Sequence, residues 1–248
     1  MPWSWTPARR NDPELMDAPG LPEAEVADAY RVLRRVNRQL GNLAVLRREA
    51  RRFLREDQPG PGSGPATALD VGSGSGDISR ALADLPGVAS PITALALDRD
   101  PTAVIAARAQ GVSVTRGDAL RLPFADHSID LVTAVKFAHH FAGPELQRLL
   151  GEMARVARHR VVVLDIRRHR LAYWGFIAWS RVFTRNRLVR FDGPLSVLRG
   201  FTADELRTLA APLTDFHWEV RFYLGFQLAL IGRRRSAATR GATGPAPG

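Results

Sequence analysis

The stretch Asp70-Val71-Gly72-Ser73-Gly74-Ser75-Gly76 lies between a short apolar run and a helical pattern, and the interpretation of the whole chain starts from it. Glycines tolerate positive φ angles and let backbone amides approach a ligand without a Cβ atom in the way. Alternate glycines give GxGxG, whereas the dinucleotide fingerprint is GxGxxG, with room for a pyrophosphate at the helix N-terminus. The stretch predicts a ligand-binding turn between a strand and a helix, with a plain tight turn as the structural alternative.

Outward from this turn, short apolar runs alternate with stretches of helical periodicity. The predicted strands cover residues 66–71, 92–97, 112–114, 129–135 and 161–164, and the helices between them cover 77–85, 101–110 and 144–157. Continuous apolar strands separated by helices indicate a parallel sheet that is covered on both faces. Ligands bind such sheets at the carboxyl ends of the strands, so the functional residues are expected there.

The segments around this core have their own patterns. Residues 23–55 show two amphipathic helical patterns, residues 58–64 form a Pro/Gly linker that cannot continue a helix, and residues 218–225 and 226–232 predict a hairpin. The predicted organisation is a flexible N-terminus (1–21), a helical cap (22–57), a catalytic domain (65–234) with an insertion (167–200), and a flexible tail (235–248).

Composition excludes several chemistries. The chain has 248 residues, 45% of them hydrophobic, a size that suits a single α/β catalytic domain with additions. It has no cysteine, which removes disulfides, thiolate zinc sites and cysteine nucleophiles. The sequence shows no secretory hydrophobic region and no run of about 18 apolar residues, so a cytoplasmic location is expected.

The charge of the chain is strongly basic. Its formal net charge is +10, and Lys136 is the only lysine among 35 Lys and Arg residues. Such a balance is typical of proteins that contact nucleic acid, anionic lipid or acidic substrates. A compositional bias that enriches arginine together with alanine, proline and glycine explains it equally well, so the charge alone selects no partner.

Acidic residues follow the second and third predicted strands. Asp98 lies 22 residues beyond Gly76, near the offset of about 20 at which a carboxylate reaches a ribose diol in nucleotide-binding folds. Asp100 precedes Pro101 and therefore has the position of a helix N-cap. Asp118 follows the third strand, where a turn is the structural alternative to a binding site.

The glycine turn, with Asp70 two residues before Gly72, resembles the nucleotide-binding signature of class I S-adenosylmethionine-dependent methyltransferases. The resemblance implies a Rossmann-like α/β fold with a seven-stranded sheet of order 3-2-1-4-5-7-6, N-terminal helices and a helical insertion after strand 5. It also implies S-adenosylmethionine as the cofactor. The residues that it implies as cofactor contacts are Asp70, Gly72, Ser73, Gly74, Gly76, Asp98, Arg99, Asp118, Ala119 and Lys136.

Within this resemblance, three carboxylates have separate implied roles. Asp70 would meet the amino group of the cofactor directly or through water, Asp98 the ribose hydroxyls, and Asp118 the exocyclic amine of adenine. The motifs in their order cover about residues 66–233. Residues 13–17 and 33–37 are similar to segments of the ubiquinone/menaquinone-methyltransferase-like group, a less specific likeness.

Two histidines follow the fourth predicted strand, in a segment similar to a histidine-containing motif of the family. Methyl transfer from a sulfonium is an in-line displacement, so the enzyme fixes geometry and removes a proton from the acceptor. His139 and His140 are the candidates for base or acceptor-orienting residue, and Asp165, after the fifth strand, is a candidate to orient a histidine or bind an acceptor hydroxyl. Packed or capping side chains are the alternative. No metal site is predicted.

The insertion at 167–200 is rich in aromatic and arginine residues and is too long for an ordinary connection. The family resemblance implies that this insertion and residues 23–55 cover the acceptor site. An aromatic, arginine-flanked lid suits a flat or lipid-like acceptor that carries an acid or a phenol. Packing with snorkelling arginines and contact with an anionic membrane surface are the alternatives.

The sequence therefore predicts a methyltransferase that acts on a small phenolic, quinol or lipid-like aromatic acceptor, by O- or C-methylation. An RNA or DNA methyltransferase is the first alternative, but residues 137–140 lack the Asn/Asp-Pro-Pro-aromatic motif common in base N-methylating members, and a cysteine-dependent mechanism is excluded. Nucleic acid is thus the less favoured partner. A non-catalytic cofactor-binding domain or a dinucleotide-dependent oxidoreductase is the second alternative.

Overall fold

The computed structural model of the chain describes residues 5–18, 20–57, 64–88 and 91–235. Its helices are α1 (Glu23–Gln39), α2 (Asn42–Glu56), α3 (Asp77–Ala83), α4 (Pro101–Ala109), α5 (Gly143–Val156), α6 (Arg170–Phe183), α7 (Arg187–Arg199) and α8 (Ala203–Ala210). Its strands are β1 (Thr67–Val71), β2 (Thr93–Asp98), β3 (Ser113–Arg116), β4 (Ile129–Val135), β5 (Ala157–Ile166), β6 (Phe216–Tyr223) and β7 (Gln227–Arg234). Short 3-10 turns form at Leu15–Asp17 and Ala138–His140.

The seven strands form one sheet in the order β3-β2-β1-β4-β5-β7-β6, which confirms the predicted topology. β1 to β5 are parallel to one another, whereas β7 is antiparallel to both β5 and β6. The carboxyl ends of β1, β2, β3, β4 and β5 therefore meet at one edge of the sheet, where ligands bind in such folds.

Alternate residues of the central strands enter different cores on the two faces of the sheet. Val132 and Val161 pack into a core with α5 and α8, whereas Leu131 and Val162 pack into one with α2 and α3. This period of two explains why both strands are apolar throughout. β5 is longer than the predicted 161–164. Its first part contains polar residues such as Arg160, which is fully buried as an ion pair with Glu56 of α2. Because these residues interrupt the apolar pattern, the pattern did not indicate this part of the strand.

Helix α2 is fixed to the sheet by buried polar contacts as well as by apolar packing. Glu49 is fully buried, and its carboxylate accepts hydrogen bonds from the Tyr223 hydroxyl at 2.6 Å and from Arg221 at 2.8 Å. Buried charges persist only where partners replace water, so this contact specifies where α2 lies. The predicted helical cap therefore packs on the sheet.

The insertion forms two helices that pack on each other. Asn186 caps α7 by accepting from the Val189 amide at 3.1 Å. A methyl group at Gly193 would overlap the Phe176 ring, so a glycine is needed where α6 and α7 approach. The core resumes at α8 with the predicted capping box of Thr202 and Glu205.

Parts of three predicted segments fall on residues that the structure does not describe. The linker at 58–63, residues 1–4 of the predicted flexible N-terminus and residues 236–248 of the predicted flexible tail lie outside the described residues. Among the helices that the structure does describe, none combines the length and apolarity that a bilayer-spanning segment needs.

Candidate active site

The glycine turn is held against the end of the neighbouring strand by backbone hydrogen bonds. The amides of Gly72 and Ser73 both donate to the Leu97 carbonyl, at 2.9 and 3.1 Å. The Gly74 amide donates to the Asp98 carboxylate at 2.8 Å. The three glycines have φ angles of +71°, +52° and +81°, which side chains with a Cβ rarely adopt. The turn is thus defined locally, by residues close in sequence to it and by one adjacent strand.

Two aromatic rings lie against this turn. A methyl group at Gly72 would overlap the ring of Phe137, and one at Gly74 would lie 3.4 Å from the ring of Tyr30. Phe137 follows β4, and Tyr30 belongs to α1. The Tyr30 hydroxyl donates to Asp100 at 2.8 Å. The N-terminal helix therefore reaches the predicted cofactor turn.

The Asp98 carboxylate, predicted to bind ribose, lies beside the glycine turn. Asp98 is the last residue of β2, one of its oxygens accepts from the Gly74 amide, and the other accepts from the Asp100 amide at 3.0 Å. Each oxygen keeps a lone pair for a further donor. Burial raises the pKa of Asp98, against the effect of these amide donors. Asp100 caps α4 as predicted, because its carboxylate accepts from the Thr102 amide at 2.9 Å.

Asp70 lies beneath the turn and is only 1% exposed. Its two oxygens accept from the hydroxyls of Ser79 and Thr133, both at 3.3 Å. Burial and the nearby charge of Asp77 raise the pKa of Asp70 well above its usual range. In this structure the carboxylate supports the turn from the core side, and its predicted contact with the cofactor remains a prediction.

The remaining predicted cofactor residues lie around the same edge, in different environments. Arg99 is exposed, with a guanidinium nitrogen 4.0 Å from Asp17. Asp118 is exposed too, and it accepts from the Leu120 amide at 2.9 Å, as the turn interpretation expects. Ala119 is buried in the core. Lys136 has a positive φ of 55°, and burial, opposed by the charge of Asp165, lowers its pKa to about 8.

His139 and Asp165 form a buried pair at the ends of β4 and β5. The ring Nδ1 of His139 lies 2.8 Å from one carboxylate oxygen, and the backbone amide of His139 donates to the other at 3.0 Å. Burial alone would lower the pKa of His139, but Asp165 and Glu14 outweigh it and raise the pKa to about 9. The two carboxylates thus favour the protonated ring, which disfavours His139 as the group that accepts a proton from the acceptor.

Glu14 reaches this pair from the N-terminal arm, which we define as residues 5–18. Its carboxylate lies 3.6 Å from His139 Nε2 and 3.7 Å from His140 Nε2. Asp17 of the same arm lies 3.3 Å from His140 Nδ1. Burial raises the pKa of Glu14, yet the two histidines and Ser196 overcome it and lower the pKa to about 2.

The arm is fixed by α7, and neither the arm nor α7 was among the predicted site residues. Asp192 accepts from the backbone amides of Leu15 and Met16, at 2.7 and 2.9 Å. Arg199, 5% exposed, donates to the carbonyls of both His139 and His140, at 3.1 and 2.7 Å. The predicted mobility of 1–21 remains a prediction, but the described arm makes defined contacts. A possible signal was the likeness noted for residues 13–17.

Comparisons with known proteins agree with this architecture. Residues 69–164 match the family model described as methyltransferase domain. A demethylmenaquinone methyltransferase from Bacillus licheniformis is 32% identical over 114 residues, which are 45% of this chain and 48% of the relative. The mycinamicin-resistance protein MyrB from Micromonospora griseorubida is 32% identical over 160 residues, which are 59% of this chain and 48% of the relative.

Among solved structures, the magnesium protoporphyrin IX methyltransferase from Synechocystis PCC 6803, crystallised with bound SAH, is similar in fold. Its TM-score is 0.53 at 12% identity, over 79% of this chain and 84% of that one. A likeness at this identity concerns the fold. The sequence matches above span about half the length of the curated relatives.

Proposed function

We propose, from the premise that this chain carries a methyltransferase domain of the class I fold, that it methylates a small molecule with S-adenosylmethionine as the methyl donor. The observation that carries the proposal is the glycine turn with the Asp98 carboxylate beside it, at the carboxyl edge of a sheet with the class I strand order. The bound donor supplies an electrophilic methyl group on its sulfonium.

The residues around the turn fit such a ligand. Ser73 is 5% exposed, and its hydroxyl has no hydrogen-bond partner among the described residues. A buried hydroxyl without a partner is costly, so a ligand that bonds to it would gain affinity. The Asp98 oxygens have capacity for two ribose hydroxyls. The GxGxG spacing and the class I strand order disfavour the alternative of a dinucleotide-dependent oxidoreductase.

On the acceptor side, we assign different roles to the two histidines, and neither role is that of a simple general base. His139 is held by Asp165 through Nδ1 and lies beside Glu14, so we assign it the role of orienting neighbours and the acceptor. His140 is the more accessible ring, with 25% of its side chain exposed, and it faces Glu14 and Asp17. It is the histidine that we place on the acceptor side of the cluster.

The acceptor that we propose is a phenol, quinol or lipid-like aromatic compound. α7 lies against the 3-10 turn that carries both histidines, because Arg199 binds their carbonyls. α6 packs on α7, and its Phe176 belongs to an apolar cluster that includes Leu15 and Met16 of the arm. This arrangement supports the insertion as the lid of the acceptor site.

A second candidate property rests on the outer face of α6. Leu171, Trp174 and Phe183 are 53%, 63% and 47% exposed, and Arg181 lies on the same helix. Apolar side chains beside arginines are typical of contact with an anionic membrane surface. Flotation with phosphatidylserine vesicles tests this contact, and a protein that stays at the bottom of the gradient refutes it.

The proposed activity is tested by transfer of a labelled methyl group from S-adenosylmethionine to a panel of phenols, quinols and long-chain aromatics. Turnover of at least one member is expected, and it should disappear in Asp98→Ala. A parallel panel of tRNA, rRNA and duplex DNA tests the nucleic-acid alternative. Labelling confined to nucleic acid would replace the small-molecule proposal, and no labelling in either panel would contradict it.

A further inference from the structure

Three potential metal ligands converge where the arm meets the post-β4 turn. One potential ligand atom from each of Glu14, His139 and His140 lies within 4.8 Å of the other two. The distance from His139 Nε2 to Glu14 Oε1 is 3.6 Å and that from His140 Nε2 to Glu14 Oε2 is 3.7 Å, both too long for hydrogen bonds. A tetrahedral ion with bonds of about 2.1 Å has ligand-to-ligand edges of about 3.4 Å. The spacing thus suits an ion between these groups better than direct contact.

Each of the three groups is also held from behind by a separate partner. Asp165 lies 2.8 Å from Nδ1 of His139, and Asp17 lies 3.3 Å from Nδ1 of His140. The Ser196 hydroxyl donates to Glu14 at 2.7 Å. Protein metal sites have this organisation, because a carboxylate on the far ring nitrogen fixes the tautomer and directs the other nitrogen to the metal.

Carboxylates surround the two rings. They belong to Glu14, Asp17 and Asp165, and the buried ammonium group of Lys136 interacts with Asp165. Arg199, the guanidinium next to the rings, donates to the carbonyl oxygens of His139, His140 and Asp12. The Arg99 guanidinium reaches Asp17 only at 4.0 Å.

We propose that Glu14, His139 and His140 bind a divalent transition metal ion. Two imidazoles and a carboxylate suit Zn²⁺, Co²⁺ or Fe²⁺, whereas Mg²⁺ and Ca²⁺ prefer oxygen ligands. Three protein ligands leave a position open for water or substrate, as catalytic zinc sites do. The sequence alone gave no reason to connect residue 14 with residues 139 and 140, which is why no metal site was predicted.

This inference deepens the proposed function, on which its substrate statement rests. An open coordination position beside the acceptor site selects acceptors with an ionisable oxygen, such as a phenol or a quinol, because the ion stabilises the oxyanion. Acceptors that have only a carbon or amine nucleophile gain nothing from it.

Metal binding is measured directly, with Co²⁺ as the probe. Untagged full-length protein is treated with chelator, and Co²⁺ is titrated while the visible absorption of the ion and the heat of binding are recorded. One equivalent per chain is expected, with Zn²⁺ in competition. Glu14→Gln and His140→Gln should weaken binding by at least about tenfold, and Asp165→Asn by about 10- to 100-fold. His217→Gln, which changes an exposed histidine on β6, should bind Co²⁺ like the wild type.

Binding of S-adenosylhomocysteine is measured on the same samples, so the two proposals fail separately. A protein that binds the nucleoside but takes up no Co²⁺ overturns the metal site and leaves the methyltransferase proposal standing. Unchanged Co²⁺ affinity in both Glu14→Gln and His140→Gln also overturns the metal site. Thermal unfolding of each variant establishes that lost binding is not lost folding.

Discussion

The two halves of the site are built in different ways. The cofactor half consists of a turn whose hydrogen bonds go to residues 97 and 98 on the adjacent strand, and Gly74 with Asp98 forms its centre. The acceptor half joins Glu14, His139 and Asp165, which come from an N-terminal arm and the ends of two strands. One half is local in sequence, and the other depends on contacts across the whole chain.

This difference has a physical consequence. The glycines permit the positive φ angles of the turn and hydrogen bonds to residues 97 and 98 hold it, so we expect its shape to survive changes elsewhere. The acceptor cluster consists of charges that are stable only in one another's presence, since burial opposes each of them. Substitutions should therefore affect cofactor affinity and turnover separately, according to the half in which they lie.

The largest effect is expected from Gly72→Ala. The new methyl group would overlap the Phe137 ring, at a φ of +71° that alanine rarely adopts. Affinity for S-adenosylhomocysteine should fall by about 100-fold or more in calorimetry. Gly87→Ala is the matched control, because Gly87 has a φ of +73° with open space around it. Equal affinity in Gly72→Ala and wild type would mean that the turn does not contact the cofactor.

Glu14→Gln and His140→Gln should act on the other half. Each removes a charged or proton-binding group next to the acceptor, so kcat should fall by about 10²-fold while the affinity for S-adenosylhomocysteine stays within twofold. His217→Gln serves as the control. If cofactor affinity falls as much as kcat, the two halves are not separate.

Lys136 follows β4, next to Phe137 at the glycine turn and near Asp165 of the acceptor half. Its ionisation should make the free energy of unfolding depend on pH. Burial lowers its pKa to about 8 in the folded protein, against 10.5 for an ordinary lysine. Its charge then costs up to about 3 kcal/mol below pH 8, and this cost disappears as the pH rises from 8 to 10.5. Lys136→Met should exceed the wild type in urea-unfolding free energy at pH 7 and lose that advantage by pH 10. A difference that does not change with pH would contradict this assignment.

Asp118→Ala should have the smallest effect. Asp118 is exposed, and its carboxylate already accepts a hydrogen bond from the Leu120 amide within the local turn. Part of its effect on adenine binding is therefore exerted through the conformation of this turn. We expect at most about a tenfold loss of S-adenosylhomocysteine affinity. Asp204→Ala, in an exposed carboxylate on α8, is the control. A loss as large as that of Gly72→Ala would make Asp118 a principal cofactor contact.

The sequence predicted the fold well, and it pointed to the glycine turn and to Asp98, which lie in contact. Apolar periodicity placed the five parallel strands, and the strand order followed from the family resemblance and is confirmed. The sequence pointed to His139 and Asp165, whose strands are neighbours, but not to their partner Glu14 or to Arg199. Those contacts join residues more than 50 positions apart, and no periodicity or spacing records such a pairing. The raised pKa of His139 likewise depends on its burial between Asp165 and Glu14, so this shift could not be predicted.

Calorimetric titration of the full chain with S-adenosylhomocysteine, with NAD as the comparison ligand, tests the central claim most directly. We predict one site per chain for S-adenosylhomocysteine, at least tenfold weaker in Asp98→Ala, and no heat with NAD. Absence of binding by S-adenosylhomocysteine, or stoichiometric binding of NAD, would contradict the assignment of the glycine turn.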